Sequence, residues 1–526
     1  MSQTGRVPAP RRPWCVLAAA VTAAAALTAC SSGGGASAAP DRHPTTTTAT
    51  TTPAPAAASP ATTAPAVRSP GVLSAWTACG DAEFSCATLT VALDDTRPQL
   101  GTIALALTRK RASSPSRRIG SLLVNPGGPG ESAVEFLQAA WQGIPAEVRA
   151  RFDLVAFDPR GVGRTSPVRC ETTAELDDYF HLDPAPTTTA GLAQLDRANA
   201  ALTAGCQRRS GRLLPYVGTR VVAQDLDRVR SAVGDARLTY LGYSYGTSIG
   251  ASYLEQFPTH VRAMVLDGAL DPTLSWDALS AGQAKGFDVA LLAFLADCER
   301  IRCAFRQAVG GDLPAAYDAL SARVSARPLP GAGRRTVGKA EFEVGVLYGL
   351  YSKNLWPSIS AALVQALHGQ GAALLSLSDA YLQRTGAGYA NVSEANYAVN
   401  CVNRPWPRTD APYVALAKQV GRDYPRFGPT IALSGLGCTT WPVPAVNRPH
   451  PVRATGAPPV VVVGTTRDPA TPYAWAVGLA RQLDSGILLT HVGDGHTAYR
   501  VGARSCLVDP VNRYLLTTRP PVASTC

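Results

Sequence analysis

The sequence predicts an α/β fold with a mostly parallel β-sheet and helices on both of its faces. Short runs of β-branched and aliphatic residues, such as 121–124 and 460–463, alternate with longer segments of helical spacing. These runs are apolar at consecutive positions, which is typical of strands buried on both faces. The runs open into loops that contain glycine or acidic residues. Open α/β sheets carry their functional groups in such loops, beyond the carboxyl ends of the strands.

The chain after its N-terminal region is too long for one compact sheet domain, since about 455 residues follow position 70. Strands alternating with helices are expected in residues 71–275 and again in 451–526, and both segments would join one sheet. Residues 276–450 are mainly helical in pattern, so we expect them to form a large cap inserted over the site. The clearest helical patterns there are residues 280–300 and 355–377.

The most informative motif is Gly-Tyr-Ser-Tyr-Gly at residues 242–246. A strand-like segment, 236–241, precedes it, and a helix-like segment with small residues, 247–254, follows it. A strand, a tight turn and a helix in this order expose the central serine as a nucleophile. The pattern alone is weak in a chain with 47 glycines, and an ordinary serine in a glycine-rich turn is the alternative. The flanking segments favour Ser244 as the nucleophile.

A serine nucleophile needs a general base and an acid that orients the base. Among seven histidines, His496 lies in a loop near the end of the chain, whereas His491 belongs to a predicted strand. Asp468 follows one predicted strand and precedes His496. Asp267 ends another strand and is the alternative acid, although we expect it to stabilise a loop. Ser244, Asp468 and His496 therefore form the predicted triad, in the chain order of the α/β-hydrolase fold.

An oxyanion hole is predicted from residues 125–130, Asn-Pro-Gly-Gly-Pro-Gly, which follow an apolar strand. Acyl transfer needs backbone N–H groups that approach the developing negative charge without an intervening side chain. One donor would be the N–H of Tyr245 and the other that of Gly128 or its neighbour Gly127. A surface turn is the alternative. In the next loop, Asp158 and Arg160 are expected to fix the loop rather than take part in chemistry.

The N-terminal region predicts export. Three arginines precede the apolar run 14–27, which is too short to span a membrane. Residues 27–30, Leu-Thr-Ala-Cys, resemble the lipobox of bacterial lipoproteins, in which Cys30 would carry the lipid. We therefore expect a signal peptide over 1–29 and a disordered Thr/Pro/Ala-rich tether over 30–70. An ordinary signal peptide is the alternative. The expected product is a monomer, lipid-anchored to the cell membrane and facing the envelope, with some of it released.

The cysteine count fits a disulfide-bonded exported protein. Ten of the twelve cysteines remain once Cys15 and Cys30 are set aside, and an even number fits five disulfides. Spacing does not determine the connectivity, although the ten fall into neighbouring couples: Cys79/Cys86, Cys170/Cys206, Cys298/Cys303, Cys401/Cys438 and Cys506/Cys526. They show no Cys-x-x-Cys pair and no adjoining histidine cluster, so we expect neither a metal nor another cofactor.

The charge balance does not indicate a nucleic-acid partner. The formal net charge of +11 falls to +8 when the three signal arginines are removed. No basic cluster with interleaved aromatic residues is present, although such clusters are typical of nucleic-acid-binding surfaces. The expected partners are therefore a peptide or ester substrate and, through the lipid, a membrane.

Taken together, these motifs resemble the bacterial tripeptidyl aminopeptidases and their proline-iminopeptidase-like relatives, which include carboxylesterase A-like lipoproteins. The resemblance covers nearly the whole chain after the tether, and the C-terminal segment is similar to the family's TAP-like module. It rests on residues 86–94, 125–130, 157–163, 242–246, 257–258, 265–268, 468–472, 495–497 and 505–526. It implies an α/β-hydrolase whose Ser–Asp–His triad releases short peptides from unblocked N-termini, with a helical cap closing the far end of the site.

Two departures from the family concern the substrate amine. Glu131 stands directly after the oxyanion loop, where relatives often have a small residue, and Asn403 stands where an aspartate is expected. A free ammonium group is best bound by a carboxylate, so loss of an acid at position 403 would weaken the case for an aminopeptidase. The candidate amine-binding acids are Glu131, Glu341, Glu343 and Asp271. For each of them a solvated or helix-capping acid is the alternative.

Two other functions compete with the aminopeptidase hypothesis. A carboxylesterase or lipase would use the same triad, because the fold and the triad do not determine which acyl group is attacked. A non-catalytic binding lipoprotein would use the scaffold alone. The intact triad and oxyanion loop argue against the second of these.

Overall fold

The structure is a computed structural model that describes residues 70–80 and 83–526. The predicted signal peptide, Cys30 and nearly all of the tether lie outside the described residues. The strands are β1 (Val72–Leu73), β2 (Thr77–Cys79), β3 (Phe84–Ala92), β4 (Thr102–Lys110), β5 (Gly120–Asn125), β6 (Phe152–Phe157), β7 (Leu238–Tyr243), β8 (Val261–Asp267), β9 (Leu329–Pro330), β10 (Thr336–Val337), β11 (Arg384–Thr385), β12 (Gly388–Tyr389), β13 (Val460–Arg467), β14 (Gly486–Asp494) and β15 (Ser524–Thr525).

The α-helices of the described residues lie between these strands. They are α1 (Ala133–Ala140), α2 (Ala146–Arg151), α3 (Thr173–His181), α4 (Thr189–Ser210), α5 (Thr219–Ala232), α6 (Tyr245–Gln256), α7 (Trp276–Ile301), α8 (Ala304–Val309), α9 (Leu313–Ala326), α10 (Lys339–Leu350), α11 (Trp356–Leu367), α12 (Ala372–Leu382), α13 (Val392–Asn403), α14 (Ala411–Asp423), α15 (Gly428–Leu433), α16 (Tyr473–Gln482) and α17 (Ser505–Thr517). None of these helices is both long and apolar enough to cross a membrane.

The main sheet has the strand order β1-β3-β4-β6-β5-β7-β8-β13-β14-β15, and β2 pairs with β3. The pairs from β6 to β15 are parallel, which confirms the predicted α/β fold with a mostly parallel sheet. The first strands differ from the expected alternation with helices. Strands β3 and β4 pair antiparallel, and only a loop with one 3-10 turn separates them.

The strand runs are continuously apolar because both faces of the sheet are covered. In β13, Val460 and Val462 face the core that α5, α6 and α16 help to form. Val461 and Val463 face the opposite core, which α1, α2 and α17 help to form. Alternate side chains of a strand point to opposite faces, so all four valines are buried.

A helical segment with its own core separates the two halves of the sheet sequence. Helices α7 to α15 and the hairpins β9–β10 and β11–β12 lie between β8 and β13. Their core includes Phe294, Phe342 and Leu363. The helix expected at 280–300 is present as part of α7, whereas the single helix expected at 355–377 is wrong. The chain forms α11 and α12 there, and between them Gly369 has a φ of 80°.

The five disulfides join the neighbouring cysteine couples. The pairs are Cys79–Cys86, Cys170–Cys206, Cys298–Cys303, Cys401–Cys438 and Cys506–Cys526. Two of them belong to the helical segment that separates β8 from β13. The C-terminal residue is held near the end of β14, because the Val492 N–H donates to the carbonyl of Cys526.

The loop after β6 is fixed by a buried arginine. Arg160 is 1% exposed and donates to both carboxylate oxygens of Asp225 on α5, at 2.5 and 2.9 Å. It also donates to the carbonyls of Ala92 and Leu93, at 2.9 and 2.5 Å. Arg160 therefore ties the loop to β3 and α5, which agrees with the expected structural role.

Replacement of Asp225 by asparagine tests this clamp. The variant leaves the guanidinium groups of Arg160 and of Arg228, which also pairs with Asp225, buried without their full counter-charge. Asp225→Asn should therefore lower the free energy of unfolding by about 3–5 kcal/mol. Urea denaturation of the purified protein measures the change. The control is Asp318→Asn, since Asp318 pairs with Arg426 but its side chain is 50% exposed, and its loss should cost less than about 1 kcal/mol. Equal losses in the two variants would contradict the assignment.

Candidate active site

Ser244 stands on a strained turn between β7 and α6. Its backbone has φ 53° and ψ −126°, a conformation that non-glycine residues adopt only when the surrounding structure enforces it. The Ser244 N–H donates to the carbonyl of Asp267 at 2.9 Å. A Cβ on Gly246 would lie 2.7 Å from the carbonyl oxygen of Asn125, so a larger residue does not fit there. The predicted strand, turn and helix are therefore present, with Ser244 at the turn.

His496 and Asp468 form a buried hydrogen-bonded pair. Nδ1 of His496 lies 2.9 Å from each carboxylate oxygen of Asp468, and the two side chains are 9% and 0% exposed. Asp468 also accepts the N–H groups of Ala470 and Thr471, at 3.0 and 2.9 Å. The pairing places the proton of the neutral ring on Nδ1. Nε2 is buried and makes no hydrogen bond within the described residues, so it is available as a proton acceptor.

Ser244 and His496 contact the same corner of the chain, Asp267–Gly268. The carbonyl of Asp267 holds the Ser244 N–H, and a Cβ on Gly268 would lie 3.0 Å from Cε1 of His496. The hydroxyl of Ser244 forms no hydrogen bond to any described residue. The structure thus brings the three predicted triad residues to one edge of the sheet, at the carboxyl ends of β7, β13 and β14.

Asp267 holds the histidine loop and does not contact the histidine ring. Its carboxylate accepts the Ala498 N–H at 3.1 and 2.9 Å and the Tyr499 N–H at 2.7 Å. Burial raises the pKa of Asp267 to about 6, although these N–H groups favour the charged form. The geometry thus agrees with the expectation that Asp267 stabilises a loop.

Three carboxylates act on the protonation of His496. Burial alone would lower the pKa of the imidazole, but the charges of Asp468, Asp267 and Glu131 outweigh it, and the pKa is raised. A raised pKa makes the ring a stronger proton acceptor. It also stabilises the imidazolium that forms when the ring takes a proton.

The glycine-rich loop lies against the nucleophile turn. A Cβ on Gly127 would lie 2.7 Å from the Tyr245 nitrogen and 2.6 Å from the Tyr243 oxygen, so the contact requires glycine. The Gly127 N–H donates to Oδ1 of Asn125 at 3.0 Å. The N–H groups of Gly128 and Tyr245 donate to no described residue. Of the two glycines considered for the oxyanion hole, Gly128 is therefore the one with a free donor.

Glu131 is a half-buried carboxylate that forms neither a hydrogen bond nor an ion pair with the described residues. Burial raises its pKa to about 7, although a positive charge on His496 opposes that rise. Glu131 therefore differs from most acids of this protein, which are hydrogen-bonded or ion-paired.

The other amine-binding candidates already have partners. Glu341 pairs with His181 and caps its own helix, and Glu343 accepts the hydroxyl of Thr430 at 2.5 Å. Asp271 accepts from the backbone and hydroxyl of Thr273, at 2.9 and 2.6 Å, and from Gln482 at 2.8 Å. These hydrogen bonds account for all three acids as structural groups.

Asn403, where an acid was expected, serves a structural contact. Its Oδ1 accepts the Thr219 N–H at 2.8 Å and the side-chain amide of Asn447 at 3.0 Å. A neutral amide suits this place because it satisfies the first N–H of α5 without burying a charge. The side chain therefore connects α13 to α5 in this chain and is not available to hold an ammonium group.

Two residues of the site were not predicted from sequence. The hydroxyl of Thr471 lies 3.1 Å from Asp468 and 3.3 Å from Nδ1 of His496. The carbonyl of Tyr351 accepts the His496 N–H at 2.8 Å, and its ring stands edge-on to the imidazole with centroids 5.4 Å apart. Thr471 could have been predicted from its position three residues after Asp468, because threonine hydroxyls often bond to an acid nearby in the sequence. Nothing in the sequence indicated Tyr351.

A strained serine at a strand–helix turn and a buried His–Asp pair on the neighbouring loops define a serine hydrolase of the α/β-hydrolase fold. Comparisons with known proteins agree. A model of the alpha/beta hydrolase fold matches residues 120–307, and a model described as TAP-like protein matches residues 424–526. The chain belongs to this α/β-hydrolase family and carries its TAP-like C-terminal segment.

Named relatives are similar over most of the chain. Serine protease Hip1 of Mycobacterium tuberculosis is 39% identical over 460 residues, covering 84% of this chain and 87% of that protein. Carboxylesterase B of the same organism is 39% identical over 450 residues, covering 84% and 86%. Tripeptidyl aminopeptidase of Streptomyces lividans is 32% identical over 453 residues, covering 83% and 82%. This protein is therefore a serine hydrolase that resembles both peptidases and an esterase.

The role of Asp267 is open to a direct test. Asp267→Asn removes a negative charge that raises the pKa of His496, so the imidazole should protonate at lower pH. The base works only when neutral, so the acidic limb of kcat/KM should move to lower pH. The rate on the plateau should fall roughly tenfold because the histidine loop loses one acceptor oxygen. The pH profile of ester hydrolysis measures both effects.

Asp271→Asn is the control for this variant, because Asp271 lies in the same loop but bonds to Thr273 and Gln482 instead. Its acidic limb should stay in place. An unchanged limb in Asp267→Asn would show that the carboxylate has no electrostatic effect on the base.

Proposed function

We propose that this serine hydrolase is an aminopeptidase that releases short peptides, chiefly tripeptides, from substrates with a free N-terminus. The observation that carries the proposal is the closure of the catalytic edge by the helical segment. The amide of Asn396 on α13 donates to the carbonyl of Pro129 in the glycine-rich loop, at 3.1 Å. On the other side of the site, Tyr351 covers His496. A site covered on both sides suits a chain end better than the middle of a polypeptide.

The proposed chemistry proceeds through an acyl-enzyme. Nε2 of His496 takes the proton of the Ser244 hydroxyl as its oxygen attacks the scissile carbonyl. The N–H groups of Tyr245 and Gly128 stabilise the negative oxygen of the tetrahedral intermediate. His496 then gives its proton to the leaving amine, while Asp468 keeps the imidazole oriented. A water molecule, activated in the same way, hydrolyses the acyl-enzyme.

A carboxylesterase is the second candidate. The observation that favours it is the similarity to carboxylesterase B. Its sequence is 39% identical to this chain, as is that of serine protease Hip1. The same triad cleaves esters readily because an alkoxide is an easier leaving group than an amine. A non-catalytic binding protein is the least supported candidate, since its scaffold would not require a strained Ser244 or a free Nε2 on His496.

We also propose that the protein is exported and attached to the outer face of the cell membrane through a lipid on Cys30. The support is the sequence of residues 1–30, where an arginine-containing start and a short apolar run precede Leu-Thr-Ala-Cys. The tether that follows would let the catalytic domain reach substrates in the envelope.

A comparison of three substrates tests the catalytic proposal. The exported domain should cleave a free tripeptide anilide much faster than its N-acetylated form, and it should also turn over a short-chain nitrophenyl ester, which the same triad cleaves readily. Ser244→Ala should lower kcat by on the order of 10⁴- to 10⁶-fold because it removes the nucleophile. Cleavage of the ester alone, still dependent on Ser244, would favour the esterase. The absence of labelling of Ser244 by a serine-reactive probe would favour the binding protein.

Cell fractionation tests the anchor. Cys30→Ala removes the only thiol that the lipobox offers, so we expect the protein to lose radioactive palmitate and to leave the membrane fraction. Cys15→Ala, within the apolar run, is the matched control and should keep both the label and the location. Retention of the label in Cys30→Ala would contradict the lipid assignment.

A further inference from the structure

The catalytic edge contains one carboxylate that the proposed chemistry does not use. Glu131 follows the glycine-rich loop directly and packs closely against Gly128. A Cβ added to Gly128 would lie 2.9 Å from the nitrogen of Glu131 and 3.6 Å from its Cβ. Glu131 is half-buried and unpaired among the described residues. Removing a charged carboxylate from water without a partner is energetically unfavourable. A ligand with a positive charge would supply that partner.

Three tyrosines of the helical segment form an aromatic wall, and two of them, Tyr348 and Tyr351, lie near enough to Glu131 for its charge to act on them. Tyr348 and Tyr351 lie at the end of α10, and their rings stand 6.5 and 6.0 Å from the ring of Tyr381 on α12. Burial raises the pKa of Tyr348 and Tyr351, and the charge of Glu131 raises them further. The hydroxyls therefore stay neutral beside the acid. Tyr381 is 39% exposed, so the wall reaches solvent.

We propose that Glu131, together with Tyr348 and Tyr381, forms the subsite that holds the terminal ammonium group of the substrate. The inference rests on the proposed aminopeptidase function and assigns its specificity to named groups. A carboxylate accepts the N–H donors of an ammonium group in charge-assisted hydrogen bonds, and tyrosine rings attract the same cation through their faces. The other acids considered for this role have structural partners.

The ion environment of the subsite fits a cation. The groups that act electrostatically on Glu131 or respond to it are His496, Tyr348 and Tyr351. His496 is neutral when it acts as the base, so no permanent positive charge competes for the carboxylate. A bound ammonium group would favour the charged form of this acid, whose pKa burial raises to about 7.

The test compares three anilides: trialanyl p-nitroanilide, its N-acetyl form, and propionyl-dialanyl p-nitroanilide, which has the length of the free peptide but carries hydrogen in place of the ammonium group. Wild type should prefer the free amine over the propionyl substrate by roughly 10- to 100-fold in kcat/KM. Glu131→Gln should reduce this preference to nearly one, mainly by raising KM for the free peptide. Tyr381→Leu should reduce it by a smaller factor, about 3-fold.

The controls separate the subsite from folding and from the triad. Glu135→Gln changes an exposed acid on α1, four residues away, and should leave the preference unchanged. Glu131→Gln also removes a charge that acts on His496, so the preference is taken as the ratio of the free and propionyl substrates at one pH, which cancels any change in the triad that both substrates share. Glu131→Asp should recover part of the preference because it restores the charge.

The preference should also depend on pH in wild type alone. Burial raises the pKa of Glu131 to about 7, so below that pH the carboxyl protonates and loses the charge that an ammonium group needs. The ratio of free to propionyl substrate should therefore fall as pH drops from 7 to 6. In Glu131→Gln the ratio should be flat over the same range.

Two results would overturn the subsite, and a third would overturn the proposed function instead. If Glu131→Gln keeps the wild-type preference, another group binds the amine. If it slows all three substrates and nitrophenyl acetate equally, the carboxylate acts through His496. If wild type itself cleaves the acetylated and free peptides equally, the aminopeptidase proposal fails before any variant is considered.

Discussion

The geometry of the active site depends on Asp267 more than on any triad member. Its main-chain carbonyl accepts the N–H of Ser244, and its carboxylate accepts the N–H groups of Ala498 and Tyr499. One residue at the end of β8 thus fixes both the nucleophile turn and the histidine loop. A shift of Asp267 would therefore change the distance between Ser244 and His496. Catalysis requires nucleophile and base to be held within tenths of an ångström, so this connection is a condition for the chemistry.

The loops around this corner are held by buried charges rather than by apolar packing. Asp158 accepts the hydroxyl of Ser132 and the N–H groups of Val134 and Arg164, at 2.8, 3.0 and 2.8 Å. Arg160 connects the same loop to α5. Loop backbones carry N–H groups that helices and strands would otherwise satisfy, and carboxylates are efficient acceptors for several of them. The same preference explains why Asp468 bonds to two N–H groups besides His496.

The sequence was sufficient to predict which loops meet at the candidate catalytic edge, because local chemistry marks them. Ser244, Asp468 and His496 each follow a strand in the order that one fold requires, and the glycines near Ser244 are needed for close backbone contacts. The burial of both faces of the sheet could also be inferred from the sequence, because four consecutive valines in β13 place apolar side chains on each face. The choice between Gly127 and Gly128 needed the structure, because it depends on a hydrogen bond from Gly127 to Asn125.

The helical segment was less predictable because its contacts are made between residues far apart in the sequence. The break between α11 and α12 depends on local glycines that a helical pattern of apolar residues hides. The partner of Asn403 is Thr219, 184 residues away. Tyr351, at the end of α10, reaches His496 with its ring and its carbonyl from the helical segment. None of these pairs has a signature in the sequence, since tertiary packing brings them together.

In the proposed subsite, the electrostatics of the site would connect catalysis to substrate choice. Asp468, Asp267 and Glu131 all raise the pKa of His496, and a base with too high a pKa is already protonated at neutral pH. A bound ammonium group would neutralise Glu131 and remove its share of that effect. The imidazole would then lose its proton more easily when the amine is in place. Binding of the correct chain end would therefore favour the neutral base that Ser244 needs, so one carboxylate would couple recognition of the amine to readiness of the triad.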